Sequence, residues 1–218
     1  MTNDWASSSG VTPGTVPVVG RGRCVVSGQT DAMTDPPDRY RAFPADGFHT
    51  RWTTWDGEHT EHLTIRWENE AWTVTGRVER EQIEYVIRLS PLWQTRQFLL
   101  FRDLPQPDLW LGTDGHGRWG EMNGAHRPDL DGAHEIALAV TPFTHSLPIR
   151  RLPLHVGDAF ELSVLAIDVE TLAVVPTTVR YHRTAAREWR ITRGTETFET
   201  TVDEFGLVTD VVGAFRRA

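Results

Sequence analysis

The chain contains no lysine, and all 22 of its basic residues are arginines. Without a lysine amine there is no Schiff-base chemistry, no attachment of pyridoxal phosphate and no lysine-dependent phosphate loop. No glycine-rich dinucleotide fingerprint and no Gly-x-Ser-x-Gly nucleophile motif occur either. We therefore expect no organic cofactor and no covalent catalysis through a motif of known type.

Cysteine is almost absent as well. Cys24 is the only one, so an intrachain disulfide is impossible and a cysteine-based metal site is not expected. His126, His134 and His145 are spaced 8 and 11 residues apart, which matches no compact metal motif. We expect these histidines to lie in turns or at the surface, and we predict no bound metal.

Long apolar segments are missing too. No stretch approaches the ~18 consecutive apolar residues of a membrane-spanning helix, and no apolar run follows a basic start near Met1, so we expect no signal peptide and a cytoplasmic location. The net charge of −8 argues against binding to nucleic acid or to an anionic membrane.

The sequence does contain period-two alternation. From Phe48 onward, apolar side chains alternate with polar ones, as in 63–67 and 83–89, a pattern typical of strands with one buried face. Turn-forming pairs separate these runs: Asp56-Gly57, Asn123-Gly124, Asp131-Gly132, Arg193-Gly194. No window of 12 or more residues keeps a helical period. The pattern predicts an all-β domain of about 10–12 antiparallel strands in a single curled sheet.

The first 46 residues differ from the rest. They are rich in serine, glycine and proline, which break any periodicity, and this is typical of disorder. We predict a disordered leader over 1–46 and one β domain over 47–218.

The most ordered sequence string runs from Arg127 to Leu154. It contains Asp129 and Asp131, then the segment Thr141-Pro-Phe-Thr-His-Ser-Leu, then Pro148-Ile-Arg-Arg-Leu-Pro-Leu154. Together with the Trp93-Gln-Thr-Arg96 segment, Gly117-Arg-Trp119 and the closing Val202-Asp-Glu-Phe-Gly-Leu-Val208, this string resembles the bacterial family labelled "putative glycolipid-binding", formerly a domain of unknown function. The resemblance covers about Phe48 to Arg217.

That resemblance implies a specific fold and ligand class. Members of the family are expected to form a spiral β-roll, or incomplete barrel, similar to bacterial lipoprotein carriers. An incomplete barrel has an apolar concave face that suits an acyl chain. This chain departs from the family at two positions: Ala133 replaces the usual cysteine, and His145-Ser146 stands where an asparagine is usual. We interpret both as packing or turn positions.

Arg150 and Arg151 are the first candidate site residues. Prolines on both sides indicate an edge strand or irregular crossover, on which adjacent side chains point to opposite faces. One arginine would then pair with a buried carboxylate, for which Asp129 and Asp131 are candidates, or bind a carboxylate, phosphate or sugar hydroxyl of a ligand. The two aspartates themselves are expected to stabilise a turn.

Further ligand contacts are predicted from the aromatic residues. Trp93 and Trp119 lie beside turn signals and arginines, and are either core residues or surfaces that stack on a sugar. Arg96 could orient a polar head group, and Tyr181 could supply a hydroxyl.

Three functions remain open on this sequence. The favoured one is non-catalytic binding of an amphipathic ligand, a lipid or glycolipid, in the concave face. The alternatives are a cofactor-independent enzyme for a small aromatic or hydrophobic metabolite, and a scaffold that contacts partner proteins through an open sheet edge.

Overall fold

A fourteen-stranded sheet makes up most of the described chain. The computed structural model describes residues 40–103 and 105–218, so the predicted leader before residue 40 lies outside the described residues. The strands are β1 (Phe48–Thr54), β2 (Thr60–Glu68), β3 (Ala71–Val78), β4 (Ile83–Leu89), β5 (Thr95–Phe101), β6 (Leu109–Thr113), β7 (Trp119–Gly120), β8 (Glu135–Leu138), β9 (Ala159–Ile167), β10 (Val174–Ala185), β11 (Glu188–Arg193), β12 (Glu196–Val202), β13 (Val208–Val211) and β14 (Phe215–Arg217). The helices are α1 (Phe143–Arg151) and two short 3-10 helices, Arg80–Gln82 and Pro128–Leu130.

The order of the strands confirms the predicted single curled sheet. Across the sheet the order is β7-β6-β5-β4-β3-β2-β1-β14-β13-β12-β11-β10-β9-β8. The strand count exceeds the predicted range because strands such as β7 and β14 have only two and three residues, too few to show alternation. One pair, β8 with β9, is parallel, because α1 lies in the connection between them and returns the chain in the same direction.

The two terminal strands of the sheet meet through their flanking loops. The backbone N–H of Gly132, just before β8, donates to the carbonyl of Gly117, just before β7, at 2.8 Å. The indole N–H of Trp119 donates to the carbonyl of Ala133 at 2.8 Å. The sheet is therefore a roll whose edges are joined by loop contacts and not by a strand ladder.

Helix α1 replaces the extended crossover predicted for Arg150 and Arg151, so that prediction is wrong. The segment is short and contains Pro148, and proline inside a helix removes one backbone hydrogen bond. Tertiary packing outweighs this cost: Phe143 and Leu147 are buried in the larger of two apolar cores, and Ile149 in the smaller. The helix thus occupies the concave side of the roll.

Residues 40–46 belong to the packed domain, although they were predicted to lie in the leader. Phe43 is buried in the larger core, and the backbone N–H of Arg41 donates to the carbonyl of Glu204 at 2.8 Å. Phe43, in a short segment that also contains an arginine, a proline and an aspartate, has no periodicity to reveal its burial.

The register of the first strands defines two ends of the roll. Glu61 pairs with Val78 at one end, which we call the cleft end, and Trp67 pairs with Trp72 at the other, the aromatic end. Glu61 and Trp67 are six positions apart along β2, or about 20 Å at ~3.3 Å per residue. Helix α1 begins near the cleft end and finishes near the aromatic end, as its contacts below show.

Candidate ligand site at the cleft end of the roll

A buried carboxyl group lies beside the N-terminus of α1. The Tyr85 hydroxyl donates to Oε1 of Glu61 at 2.5 Å, and the Thr141 hydroxyl donates to Oε2 at 2.7 Å. All three side chains are buried. Thr141 Oγ1 also accepts from the backbone N–H of Phe143, the first residue of α1, at 3.0 Å, so the carboxyl group is tied to the start of the helix.

The Glu61 cluster, which we define as Glu61, Tyr85 and Thr141, has no cationic side chain in contact with the carboxyl group among the residues that the structure describes. Burial raises the pKa of Glu61 to about 7, although the hydrogen bonds from Tyr85 and Thr141 act in the opposite direction. Burial also raises the pKa of Tyr85, and the neighbouring Glu61 raises it further. The partial positive charge of a helix N-terminus favours a nearby carboxylate. Glu61 is therefore a carboxyl group that can exchange a proton near neutral pH.

An apolar cleft of about 280 Å³ opens beside this cluster. Six of its eleven lining residues are apolar and five are polar or charged; the lining residues are Thr54, His59, Val78, Arg80, Ala139, Val140, Ile167, Asp168, Val169, Glu170 and Phe215. Val140 directly precedes Thr141, and Val78 is paired with Glu61, so the inner part of the cleft adjoins the Glu61 cluster. At the rim, Arg80 and Glu170 form an ion pair of 3.2 Å. The volume is just below the range that is typical of small-molecule sites, about 300–1,000 Å³.

A second buried carboxyl group pairs with Arg151. Nε of Arg151 donates to Oε1 of Glu135 at 2.8 Å, and the Thr95 hydroxyl donates to Oε2 at 2.6 Å. Burial raises the pKa of Glu135 to about 7, with the charge of Arg151 opposing the rise. The prediction of a buried arginine pair is thus realised with Glu135, and not with Asp129 or Asp131.

The two aspartates have other partners. Asp129 forms an ion pair with Arg127 at 2.7 Å. Asp131 accepts from the ring of His126 at 2.9 Å and from the backbone N–H of Trp119 at 3.3 Å. Both therefore stabilise the connection between β7 and β8.

Arg150 lies at the aromatic end, against two aromatic rings. Its guanidinium carbon is 4.1 Å from the Trp93 ring centroid and 4.6 Å from that of Phe43, distances at which a cation and a ring attract each other. Within the described part of the chain, Nε and Nη1 of Arg150 are buried without a hydrogen-bond partner, and burial lowers the pKa of Arg150 to about 10. Trp93 has a backbone φ of 63°, a strained value for an aromatic residue.

The other predicted ligand contacts are dispersed. Trp119 is in the larger core. Tyr181 is buried in the smaller core, where its hydroxyl lies 3.2 Å from Nδ1 of His145. Arg96 bonds the backbone carbonyl of Asp114 in the β6–β7 turn. Of the predicted set, Arg150 and Trp93 are in direct contact; the ligand-binding role of all of them stays a prediction.

The sequence contained one signal for the Glu61 cluster. Leu63 and Ile65 point inward from β2, and every second residue of a strand points to the same face, so Glu61 lies on the buried face as well. A charged residue at an inward position of a strand indicates a functional or paired group. The cleft itself combines residues that are far apart in sequence, and no local pattern marks them.

Two kinds of site are absent from the described part of the chain. It holds no group of three or more histidine, cysteine, aspartate or glutamate side chains arranged to bind a metal. Within the same residues, no helix has the length and apolar character needed to cross a bilayer.

Comparisons with known proteins agree with the resemblance seen in the sequence. No curated protein matches the chain. The solved structure of a DUF1089 family protein from Pseudomonas aeruginosa is similar, with a TM-score of 0.63 and 29% identity over 76% of this chain and 92% of that one. The family described as "Putative glycolipid-binding" matches residues 49–217. The chain belongs to this family.

Proposed function

We propose that the protein binds an amphipathic ligand, a lipid or glycolipid, without chemically changing it. The observation that carries this proposal is the apolar cleft at the cleft end of the roll, with an ion pair of Arg80 and Glu170 at its rim. An alkyl chain would lie against Val140, Ile167 and Phe215, and hydroxyl groups of the head would bond to the charged rim. The description of the family supports the same ligand class.

The cleft replaces the concave face as the proposed position of the ligand. Helix α1 and the inward side chains of the sheet occupy that face, as the burial of Phe143 and Leu147 shows. Arg150 and Trp93 lie at the opposite end, so they would not contact a head group at the rim of the cleft.

A titration with alkyl glucosides tests the proposal. Below its micellar concentration, each added methylene that is buried should tighten binding by ~0.8 kcal/mol, or about fourfold, until the cleft is filled. Glucose itself should not bind measurably, because it has no alkyl chain to bury in the cleft. Calorimetry or tryptophan fluorescence reports the dissociation constants.

Substitution of an alanine gives a matched pair of variants. Ala139 is an exposed residue that lines the cleft, so Ala139→Trp fills the cleft without overpacking the core. Ala186 is equally an exposed turn residue but lies between β10 and β11, away from the cleft. Ala139→Trp should abolish the dependence of glucoside affinity on alkyl chain length, and Ala186→Trp should leave this dependence unchanged. Equal affinities in both variants would contradict the proposed site.

One observation favours a second candidate function, acid–base catalysis on a small hydrophobic metabolite. A carboxyl group with a pKa of about 7, bonded to a phenol, adjoins the cleft, and such a group can serve as a general acid or base. If the cleft is catalytic, the compound extracted from a Glu61→Gln protein should be a substrate that differs in mass from the compound carried by the wild type. The binding proposal predicts the same compound in both.

A further inference from the structure

Two exposed apolar side chains flank the mouth of the cleft. Trp55, in the β1–β2 turn, is 45% exposed, and Val212, in the β13–β14 turn, is 76% exposed. The two turns are joined, since the backbone N–H of Trp55 donates to the carbonyl of Ala214 at 2.9 Å. Thr54 and Phe215, which line the cleft, lie directly next to these turns and pair with each other.

The surface is too small for a stable protein partner. Trp55 and Val212 together expose on the order of 200 Å², whereas a specific protein interface buries about 800 Å² on each partner. A second copy of the chain would therefore leave most of a stable dimer interface unaccounted for. A tryptophan and an aliphatic side chain on adjoining turns are instead suited to the membrane–water interface, where tryptophan is enriched.

The charges around the mouth identify the kind of lipid surface. Asp56 and Glu58 follow Trp55, Arg216 lies beside Gly57, and Arg80 is neutralised by Glu170. These acidic and basic groups are of mixed sign and form no basic patch, and the chain as a whole carries −8. Such a surface gains nothing from anionic lipid and is compatible with a zwitterionic one.

We propose that Trp55 and Val212 form a docking surface that places the mouth of the cleft against a zwitterionic lipid surface. This inference rests on the proposed function, since it gives the amphipathic ligand a direct route between a bilayer and the cleft. The aliphatic and indole groups enter the boundary between head groups and acyl chains, while α1 and the sheet stay outside the bilayer.

The aromatic end supplies a matched control. Trp67 is 43% exposed and Leu92 is 76% exposed, nearly the same exposure as Trp55 and Val212, but Trp67, near the end of β2, and Leu92, in the β4–β5 turn, lie at the opposite end of the roll. Two double variants of the full chain, Trp55→Ser with Val212→Ser and Trp67→Ser with Leu92→Ser, therefore remove similar apolar area from opposite ends. All four side chains are substantially exposed, so both proteins should fold, which thermal unfolding checks.

The experiment is co-flotation with phosphatidylcholine vesicles. The wild type should float with the vesicles, the Trp55/Val212 variant should partition at least about tenfold less, and the Trp67/Leu92 variant should stay within about twofold of the wild type. An equal loss in both variants, binding only to vesicles that contain anionic lipid, or no binding by the wild type would overturn the docking surface. So would a wild-type dimer that the Trp55/Val212 variant dissociates.

A second measurement separates this inference from the proposed function. The affinity of the Trp55/Val212 variant for dodecyl glucoside should equal that of the wild type, because neither residue lines the cleft. Loss of vesicle binding with intact glucoside binding supports the docking surface. Absence of glucoside binding in the wild type would refute the proposed function and, with it, the inference.

Discussion

The raised pKa of Glu61 predicts a specific dependence of stability on pH. In the unfolded chain this carboxyl group titrates near its ordinary value of 4.5, and in the fold near about 7. Because the folded state holds the proton more tightly, the contribution to stability is complete below about pH 4.5 and is lost as the pH rises toward about 7. The difference between the two values corresponds to about 3 kcal/mol.

Replacement of Glu61 by glutamine isolates this contribution from all others. The free energy of unfolding of the wild type, relative to Glu61→Gln, should fall by about 3 kcal/mol between about pH 4.5 and about pH 8. Urea unfolding followed by tryptophan fluorescence at a series of pH values measures this difference, and the contributions of other titrating groups cancel in it. A difference that does not change with pH would show that Glu61 ionises at its ordinary pKa and would refute the reasoning from burial.

Three further predictions follow from individual contacts. Arg151→Ala leaves Glu135 buried without its cation and should destabilise the fold by about 3–5 kcal/mol in urea unfolding. The double variant with Glu135→Gln should recover part of that loss. If the stability losses of the two single variants simply add in the double variant, the two side chains do not form a pair. Gly76→Ala places a Cβ 2.2 Å from the Tyr85 ring and should cost about 1–3 kcal/mol, with recovery if Tyr85 is also changed to leucine. Burial lowers the pKa of His145 to about 4. The free energy of unfolding of the wild type, relative to His145→Gln, should therefore rise as the pH increases from about 4 to about 6.5. If this difference does not change with pH, the His145 ring is in contact with water.

The sheet could be predicted because its signals are local. The alternation in β2 and β4 follows from one buried face, and glycine in the turns follows from positive φ, as at Gly57 and Gly194. The leading half of the roll, from β1 to β6, is a simple succession of hairpins, each encoded by a strand, a turn and a strand.

Helix α1 could not be predicted because its stability is not local. Nine residues with an internal proline are too short to form a helix alone, and its prolines are typical of an edge strand. The helix exists because Phe143, Leu147 and Ile149 pack into two cores supplied by distant strands. The prediction for Arg150 and Arg151 was wrong for this reason, because it assumed an extended segment, and neighbouring residues of a helix do not point to opposite faces.

The candidate site also depends on contacts between residues that are far apart in the sequence, so it could not be predicted. Val78, Val140 and Phe215 come from three parts of the chain that only the roll brings together. Among the residues of the site, only Glu61 could be singled out from the sequence, because it is a charged residue at an inward-facing position of β2. The direct partner of Arg151, Glu135, was hidden because β8 pairs in parallel with β9 and is buried on both sides.

Native mass spectrometry of the purified protein, followed by extraction into organic solvent, tests the central claim most directly. The account predicts that the wild type and Ala186→Trp carry the same amphipathic compound, and that Ala139→Trp, with the cleft filled, carries none. Retention of the compound by Ala139→Trp at the wild-type level would place the ligand elsewhere and contradict the account.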